Sequence, residues 1–268
     1  MTYLKKLNIK LLVMLTYLVM IAVNALANII PINNITTGEV SDAYANLFAP
    51  AAITFAIWGV IYLLLFCYSL YILIYHEKMS EKAREVTSKI NPYFIFSNIV
   101  NTIWILAWHF DFIFISLLLM LLILFSLISV NLKLRNKAMS QLETVLIKVP
   151  FNVYLGWITI ATVANVVTYL VSINWNGFGL SQEIWMNIII VIALIIAYLA
   201  MNFFNSISYG LVIIWSYSGI LTKHFSKTAF NGQYSSVIAI TSVALAALVV
   251  SVLVLIVRKL KVRKRKVQ

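Results

Sequence analysis

Negative charge is scarce in this chain: 8 Asp and Glu stand against 20 Lys and Arg, with 3 His. So few acidic groups and histidines leave little material for a metal site or a proton relay. Cysteine occurs once, at Cys67 inside an apolar run, which excludes an internal disulfide framework. A lone thiol in that setting reads as packing. No stretch has the composition of a soluble domain, and no catalytic motif or nucleophile–base pair is present. Apolar residues fill the sequence instead, at 63% of 268, with a mean hydropathy of +0.97. Runs of about 20 apolar residues, long enough to cross a hydrocarbon core as a helix, recur from end to end.

Eight spans are predicted: 11–30, 51–75, 92–110, 112–130, 150–173, 184–204, 206–221 and 237–257. Backbone groups in lipid must be satisfied within each segment, so the fold class is all-α, a polytopic transmembrane helical bundle. The seventh span is short, and a re-entrant arrangement between Ile207 and Leu221 stays open. If the amino terminus lies inside and the spans alternate, the inner side receives Lys5, Lys6 and Lys10, then Lys78, Lys82, Arg84 and Lys89. It also receives Lys133, Arg135, Lys137 and Lys148, and the tail Arg258, Lys259, Lys261, Arg263, Lys264, Arg265 and Lys266. Only Lys223 and Lys227 face outward. Such segregation follows the positive-inside rule and predicts an integral, multi-pass protein of a bacterial cell membrane with both termini cytoplasmic.

A net charge of +12 would suggest nucleic acid in a soluble protein, but here the cations sit in short connections and the tail, so no nucleic-acid partner is expected. The tail from Arg258 to Lys266 reads as a stop-transfer anchor, compatible with recruitment of anionic headgroups. Ala25-Leu26-Ala27 also fits a signal-peptide cleavage site, although the first span is long enough to stay as an anchor. No lysine lies deep in a late span, which excludes a retinal Schiff-base pump.

Polar and aromatic residues enter the membrane at three places. Phe55, Trp58 and Tyr62 are spaced i, i+3, i+7 and share a helical face. Asn101, Trp104 and Trp108 repeat that spacing, with His109 and Asp111 at the outer end. Trp157, Ala161 and Asn165 lie at i, i+4, i+8. Trp108 fits an interfacial belt by position. Trp58, Trp104 and Trp157 are deeper, where an indole N–H wants a partner. Asn101 and Asn165 are read either as a polar clasp between helices or as polar groups of an aromatic-walled pocket. His109 and Asp111, at a tight turn, read as a solvated cap rather than a proton relay. Asn24, Asn152, Asn187, Asn202 and Asn205 receive no role.

These motifs resemble the tryptophan-rich sensory proteins, also called translocator proteins or peripheral benzodiazepine receptor homologues. That family's second helix carries Trp-x-x-x-Tyr, matched by Trp58 and Tyr62. Its third carries Asn-x-x-Trp, matched by Asn101 and Trp104. Its fifth follows a proline with a motif that Trp157, Ala161 and Asn165 meet in register, with Ile160 and Ala164 replacing an aromatic and a leucine. The family's first loop is rich in Trp and Pro, whereas 31–49 here contains no tryptophan, and no Lys or Arg follows Tyr169 as the animal sterol pattern requires.

The resemblance implies a five-helix core over 1–175, with three additional helices over 176–257 and a basic cytoplasmic tail over 258–268. It implies a receptor or carrier for a small hydrophobic ligand, with tetrapyrroles such as porphyrins the class of ligand. Enzymatic tetrapyrrole breakdown, suggested for parts of the family, finds no metal cluster or nucleophile–base pair in this sequence, so no enzyme is expected. Trp58, Tyr62, Trp104 and Trp157 are then expected to form the walls, with Asn101 and Asn165 orienting ligand or helices. Trp215, outside that region, is expected to matter little. No catalytic residue, metal or cofactor is expected beyond a bound tetrapyrrole. Expected partners are membrane lipid and the hydrophobic small molecule, and a homodimer stays open. Secondary transport is the alternative; it would be marked by internal pseudo-symmetry and broken helices, and neither a clear repeat nor abundant glycine, with 8 in the chain, is seen.

Overall fold

A computed structural model describes residues 2–265, with side chains for residues 9–262. Lys5, Lys6, the residues from Arg263 to Lys266 and Gln268 fall outside the described side chains, so their part in the expected charge pattern lies outside the described residues.

Eight long helices carry the fold: α1 (Thr2–Ile29), α3 (Ile57–Tyr75), α4 (Glu81–His109), α5 (Ile113–Leu134), α7 (Val149–Ser172), α8 (Gln182–Phe204), α9 (Ile207–Phe225) and α10 (Ser235–Arg265). Two short helices join them, α2 (Thr37–Ala43) in the first loop and the single turn α6 (Gln141–Glu143), which continues through π-helical residues into α7. The described residues include no strand. Apolar side chains face outward, among them Leu15, Leu63, Phe125, Leu199 and Leu253, while Asn24, Asn91, Asn98, Asn101, Asn131 and Asn165 are buried. That inversion suits a lipid environment, where polar groups must find partners inside the bundle. The protein is a polytopic helical membrane bundle.

Seven of the long helices are apolar and long enough to cross a membrane. The exception, α9, is more polar but has 19 residues, about 28 Å at a helical rise of 1.5 Å per residue. Its start lies beside Asn205, whose carbonyl accepts from Lys259 Nζ, and its end lies beside Leu47, whose carbonyl pairs with His224 Nε2 at 3.0 Å. It therefore runs the full distance between the two ends of the bundle. Its polar side chains are covered by neighbours: Tyr209 donates to Thr159 on α7, and Tyr217 donates to the Ile190 carbonyl on α8. Gly156 lets α7 approach this closely, since a Cβ there would sit 3.0 Å from Val212 Cβ and 3.1 Å from the Tyr209 carbonyl.

α1, α3, α4, α5 and α7 pack around one another, α9 attaches to α7 from outside, and α10 packs on α9 and α8, with α8 touching α7 and α9 more lightly. Several boundaries differ from the sequence reading: α1 begins at Thr2 rather than Leu11, α10 continues to Arg265 rather than ending at Val257, and α4 and α3 differ at their starts. α4 begins at Glu81, eleven residues before Pro92, because Ser80 caps it by accepting from the Ala83 amide and Glu143 accepts from the Ser80 amide. Phe55 lies in a 3-10 turn (Ala52–Ala56) before α3 rather than within it. Charges gather at the ends. Lys10, Glu77, Arg84, Glu143, Lys148 and Lys259 mark one end, with a Lys10–Glu77 ion pair at 3.3 Å. Asp42, His109, Asp111 and Lys223 mark the other.

Candidate functional site

Trp58 is the centre of the site. It projects from the first turn of α3 and meets aromatic rings from three helices. Tyr62, one turn on, stacks against it at 5.4 Å between centroids, and Trp104 of α4 lies at 6.2 Å. Tyr154 and Trp157 of α7 meet it edge-on at 6.0 and 6.1 Å. Phe55 closes against Trp157 at 5.8 Å, and Trp108 stacks on Trp104 at 6.1 Å. Offset and edge-to-face contacts at these separations are favourable in themselves. The rings therefore hold one another.

The expectation of one cavity is corrected by that packing. Two adjoining cavities remain, of about 40 and 150 Å³, and Thr37, Phe55 and Trp58 contribute to both. The smaller is walled by Trp58, Trp104, Trp108 and Trp157, with Asn165 at its edge; the larger is walled by Trp58 and Tyr62 with Asn24 and Asn28. Five of the six expected residues thus line one cavity or the other. The sixth, Asn101, lines neither. It is fully buried, accepts from Asn24 Nδ2 at 2.8 Å and donates to the Tyr154 hydroxyl at 3.1 Å. Asn101 joins α1, α4 and α7, and is the clasp rather than the wall. Asn165 also serves packing, since its Oδ1 accepts from Ser116 on α5 at 2.8 Å.

The buried indoles divide by partner. Trp108 Nε1 donates to the Thr37 carbonyl at 3.1 Å. Nε1 of Trp104 and of Trp157 is buried without a partner. Both rings line the smaller cavity.

A lid built from residues 30–50 covers this end. Its helix α2 starts with a reciprocal cap: the Glu39 amide donates to Thr36 Oγ1 at 3.3 Å, and the Thr36 amide donates to Glu39 Oε2 at 2.7 Å. The Thr36 amide, and then the Thr36 hydroxyl donating to the same Oε2 at 2.7 Å, hold the exposed Glu39 carboxyl below its ordinary range. His109 is not the solvated cap expected from its position. It is 2% exposed, with Nδ1 3.1 Å from the Ile32 carbonyl and Nε2 3.1 Å from Thr37 Oγ1. The carbonyl can only accept, so Nδ1 carries the proton and the Thr37 hydroxyl donates to Nε2 in the neutral ring. Asn33 Nδ2 adds a bond to the His109 carbonyl at 3.1 Å. Asp111 is exposed as expected and takes a hydrogen bond from the Tyr44 hydroxyl. Burial, and then the Asp111 carboxylate, push the Tyr44 phenol up to about 12. Trp108, expected in an interfacial belt, is instead 5% exposed beneath this lid.

The lid is also tied to α9. Lys223 pairs with Asp42, and Trp215 Nε1 donates to the Thr54 carbonyl at 2.9 Å. Trp215 therefore holds the backbone four residues before Trp58 and is not the neutral bystander expected of it. At Gly219, a Cβ would lie 2.0 Å from Thr54 Oγ1, so only glycine lets α9 reach the entry of α3. Asn24, Tyr154, Thr37 and α9 are the contributors that sequence reasoning missed. Tyr154 lies three residues before Trp157, on the same face of α7, and that spacing was the available signal. Thr37 carried none.

One family profile, described as TSPO-like protein, matches residues 10–256. The chain belongs to the TSPO-like family. The match runs through the last three helices as well as the five around the aromatic site, so the TSPO-like character extends over α8, α9 and α10. No curated protein and no solved structure matches the chain.

Proposed function

We propose that this TSPO-like protein is a membrane receptor or carrier binding a small hydrophobic, tetrapyrrole-like ligand among α3, α4 and α7. The observation that carries the proposal is the pair of unpartnered indole N–H groups of Trp104 and Trp157 in the wall of an aromatic cavity. A buried donor with no acceptor is costly in a low-dielectric interior. A ligand that brings acceptors removes that cost while its flat face takes the place of the stacked rings. Tetrapyrroles combine a wide conjugated face with carboxylate and ring-nitrogen acceptors.

The cavities, about 40 and 150 Å³, are smaller than the roughly 300 Å³ at which small-molecule pockets begin. Binding therefore includes an opening step, with the lid lifting from His109 and Trp58 swinging off its neighbours. Tyr62 is the one titratable side chain among the described residues lining these cavities, which supports binding rather than chemical conversion. Against secondary transport, the long helices among the described residues run without interruption through their spans, whereas broken helices mark that class. We also propose that the end bearing Lys10, Lys148 and Lys259 faces the cytoplasm, on the charge segregation of the sequence.

Titration of the purified protein with protoporphyrin, followed by tryptophan fluorescence, tests the proposal. Saturable quenching is expected. Removing the Trp104 ring should take away about 80 Å² of stacking surface, about 2 kcal/mol at 25 cal/mol per Å², or about thirtyfold in Kd. Trp185 is the control, because it packs at a tilt against Trp175 at 4.8 Å and lines a separate cavity of about 270 Å³ rather than either of the two around Trp58. Absence of saturable quenching, or equal loss from Trp104→Ala and Trp185→Ala, refutes the site.

A further inference from the structure

Four helix ends converge at the cationic end of the molecule. α5 finishes at Leu134, α7 begins at Val149, α8 finishes at Phe204 and α9 begins at Ile207, while Lys259 of α10 reaches across them. They enclose a cavity of about 440 Å³, larger than either aromatic cavity. Arg135, Lys148 and Lys259 line it, and no Asp or Glu does. None of the three takes part in an ion pair among the described residues. Lys148 Nζ donates to the Lys137 carbonyl at 2.5 Å and Lys259 Nζ to the Asn205 carbonyl at 2.6 Å. Arg135 lies 3.7 Å from the centroid of the Phe203 ring. Three cations with no anion between them repel one another. Ser206 caps α9 by accepting from the Tyr209 amide, and Ile207 and Ser208 follow in the lining. Their first-turn amides have no acceptor within the helix, so the positive end of the helix dipole adds to the same field.

We propose that this cavity binds the phosphate of an anionic phospholipid headgroup. A phosphate offers bidentate acceptors to Arg135 and point-charge contacts to the two lysines. Inorganic phosphate has the same chemistry. The lipid is the better occupant because the lining continues into Phe204 and Leu211, and Leu211 is 52% exposed on the apolar flank where an acyl chain would lie. The position at the ends of membrane-spanning helices also sets the cations at headgroup level. Basic pockets between helices at that level hold anionic headgroups.

Native mass spectrometry of the full chain in neutral detergent, with dioleoylphosphatidylglycerol or dioleoylphosphatidylcholine added, tests the site. Retention of phosphatidylglycerol over phosphatidylcholine is expected. Each neutralised cation should weaken retention about fivefold, and Arg135→Gln, Lys148→Gln and Lys259→Gln together on the order of a hundredfold. Lys78→Gln, Lys82→Gln and Lys89→Gln together, at the same end but outside the lining, should leave retention within about twofold. If the triple variant fails to fold, Lys148→Gln alone should weaken retention and Lys148→Arg should restore it. Equal loss in the two triple variants means general surface attraction and overturns the site. Inorganic phosphate binding as tightly as phosphatidylglycerol overturns the lipid as its occupant.

Discussion

Asn101→Ala separates a clasp from a ligand contact. Asn101 is fully buried where α1, α4 and α7 meet, and it makes one bond to Asn24 and one to Tyr154. Hydrogen bonds between membrane helices are worth about 0.6 kcal/mol on average and about 1.7 at most. Two lost bonds set a range of about 1 to 3 kcal/mol. The lower half is favoured, since Asn24 Nδ2 keeps its second acceptor, the Met20 carbonyl at 2.9 Å. The truncation also leaves a small void, which adds to the cost. Thermal unfolding in detergent should therefore show a destabilisation of about 1.5 to 2 kcal/mol, while the protoporphyrin Kd changes less than about threefold. A double-mutant cycle with Asn24→Ala should return a coupling of about 0.5 to 1.5 kcal/mol. Unchanged stability with a tenfold loss of porphyrin affinity would refute the reasoning and make Asn101 a ligand group.

The lid supplies a second expectation: Thr36→Ala removes the cap of α2 at about 1 kcal/mol, so amide exchange over 37–43 should speed about fivefold with the bundle unaffected. A pH dependence follows from Tyr44, whose raised folded value means that its contribution is full below pH 10 and is lost as pH rises through about 12. Exchange in the lid should accelerate over that window, and Tyr44→Phe should flatten the response. Gly219→Ala drives a methyl group into Thr54, and overpacking of this kind costs about 1 to 3 kcal/mol; thermal unfolding should show that loss, with altered porphyrin quenching because Phe55 moves with Thr54. Reporter fusions at Gln268 and within 133–148 should both give cytoplasmic signals, and a periplasmic signal at either would overturn the orientation.

The helical membrane architecture was written in the sequence itself. Repeated apolar runs leave no other way to satisfy the backbone in lipid, and charges at the connections sort to two ends without reference to any contact. Trp58 with Tyr62, Asn101 with Trp104, and Trp157 with Asn165 were also legible, because helical spacing puts each pair on one face. What the aromatic rings do there was decided by packing between helices. Only the approach of α3, α4 and α7 brings Trp58 into contact with four rings, shrinks the expected pocket and leaves two indole donors unpaired. Asn24 and Asn101 are 77 positions apart, and nothing local in either segment announces their bond. The same holds for the lid. Thr37 and His109 carry no pattern in sequence, and Trp108 and His109 look like exposed helix-end residues until the loop folds over them. The role of α9 lies furthest from the sequence: its Ser and Tyr side chains lower its hydropathy, and only burial against α7, α10, α8 and the entry of α3 makes so polar a segment stable across the bundle.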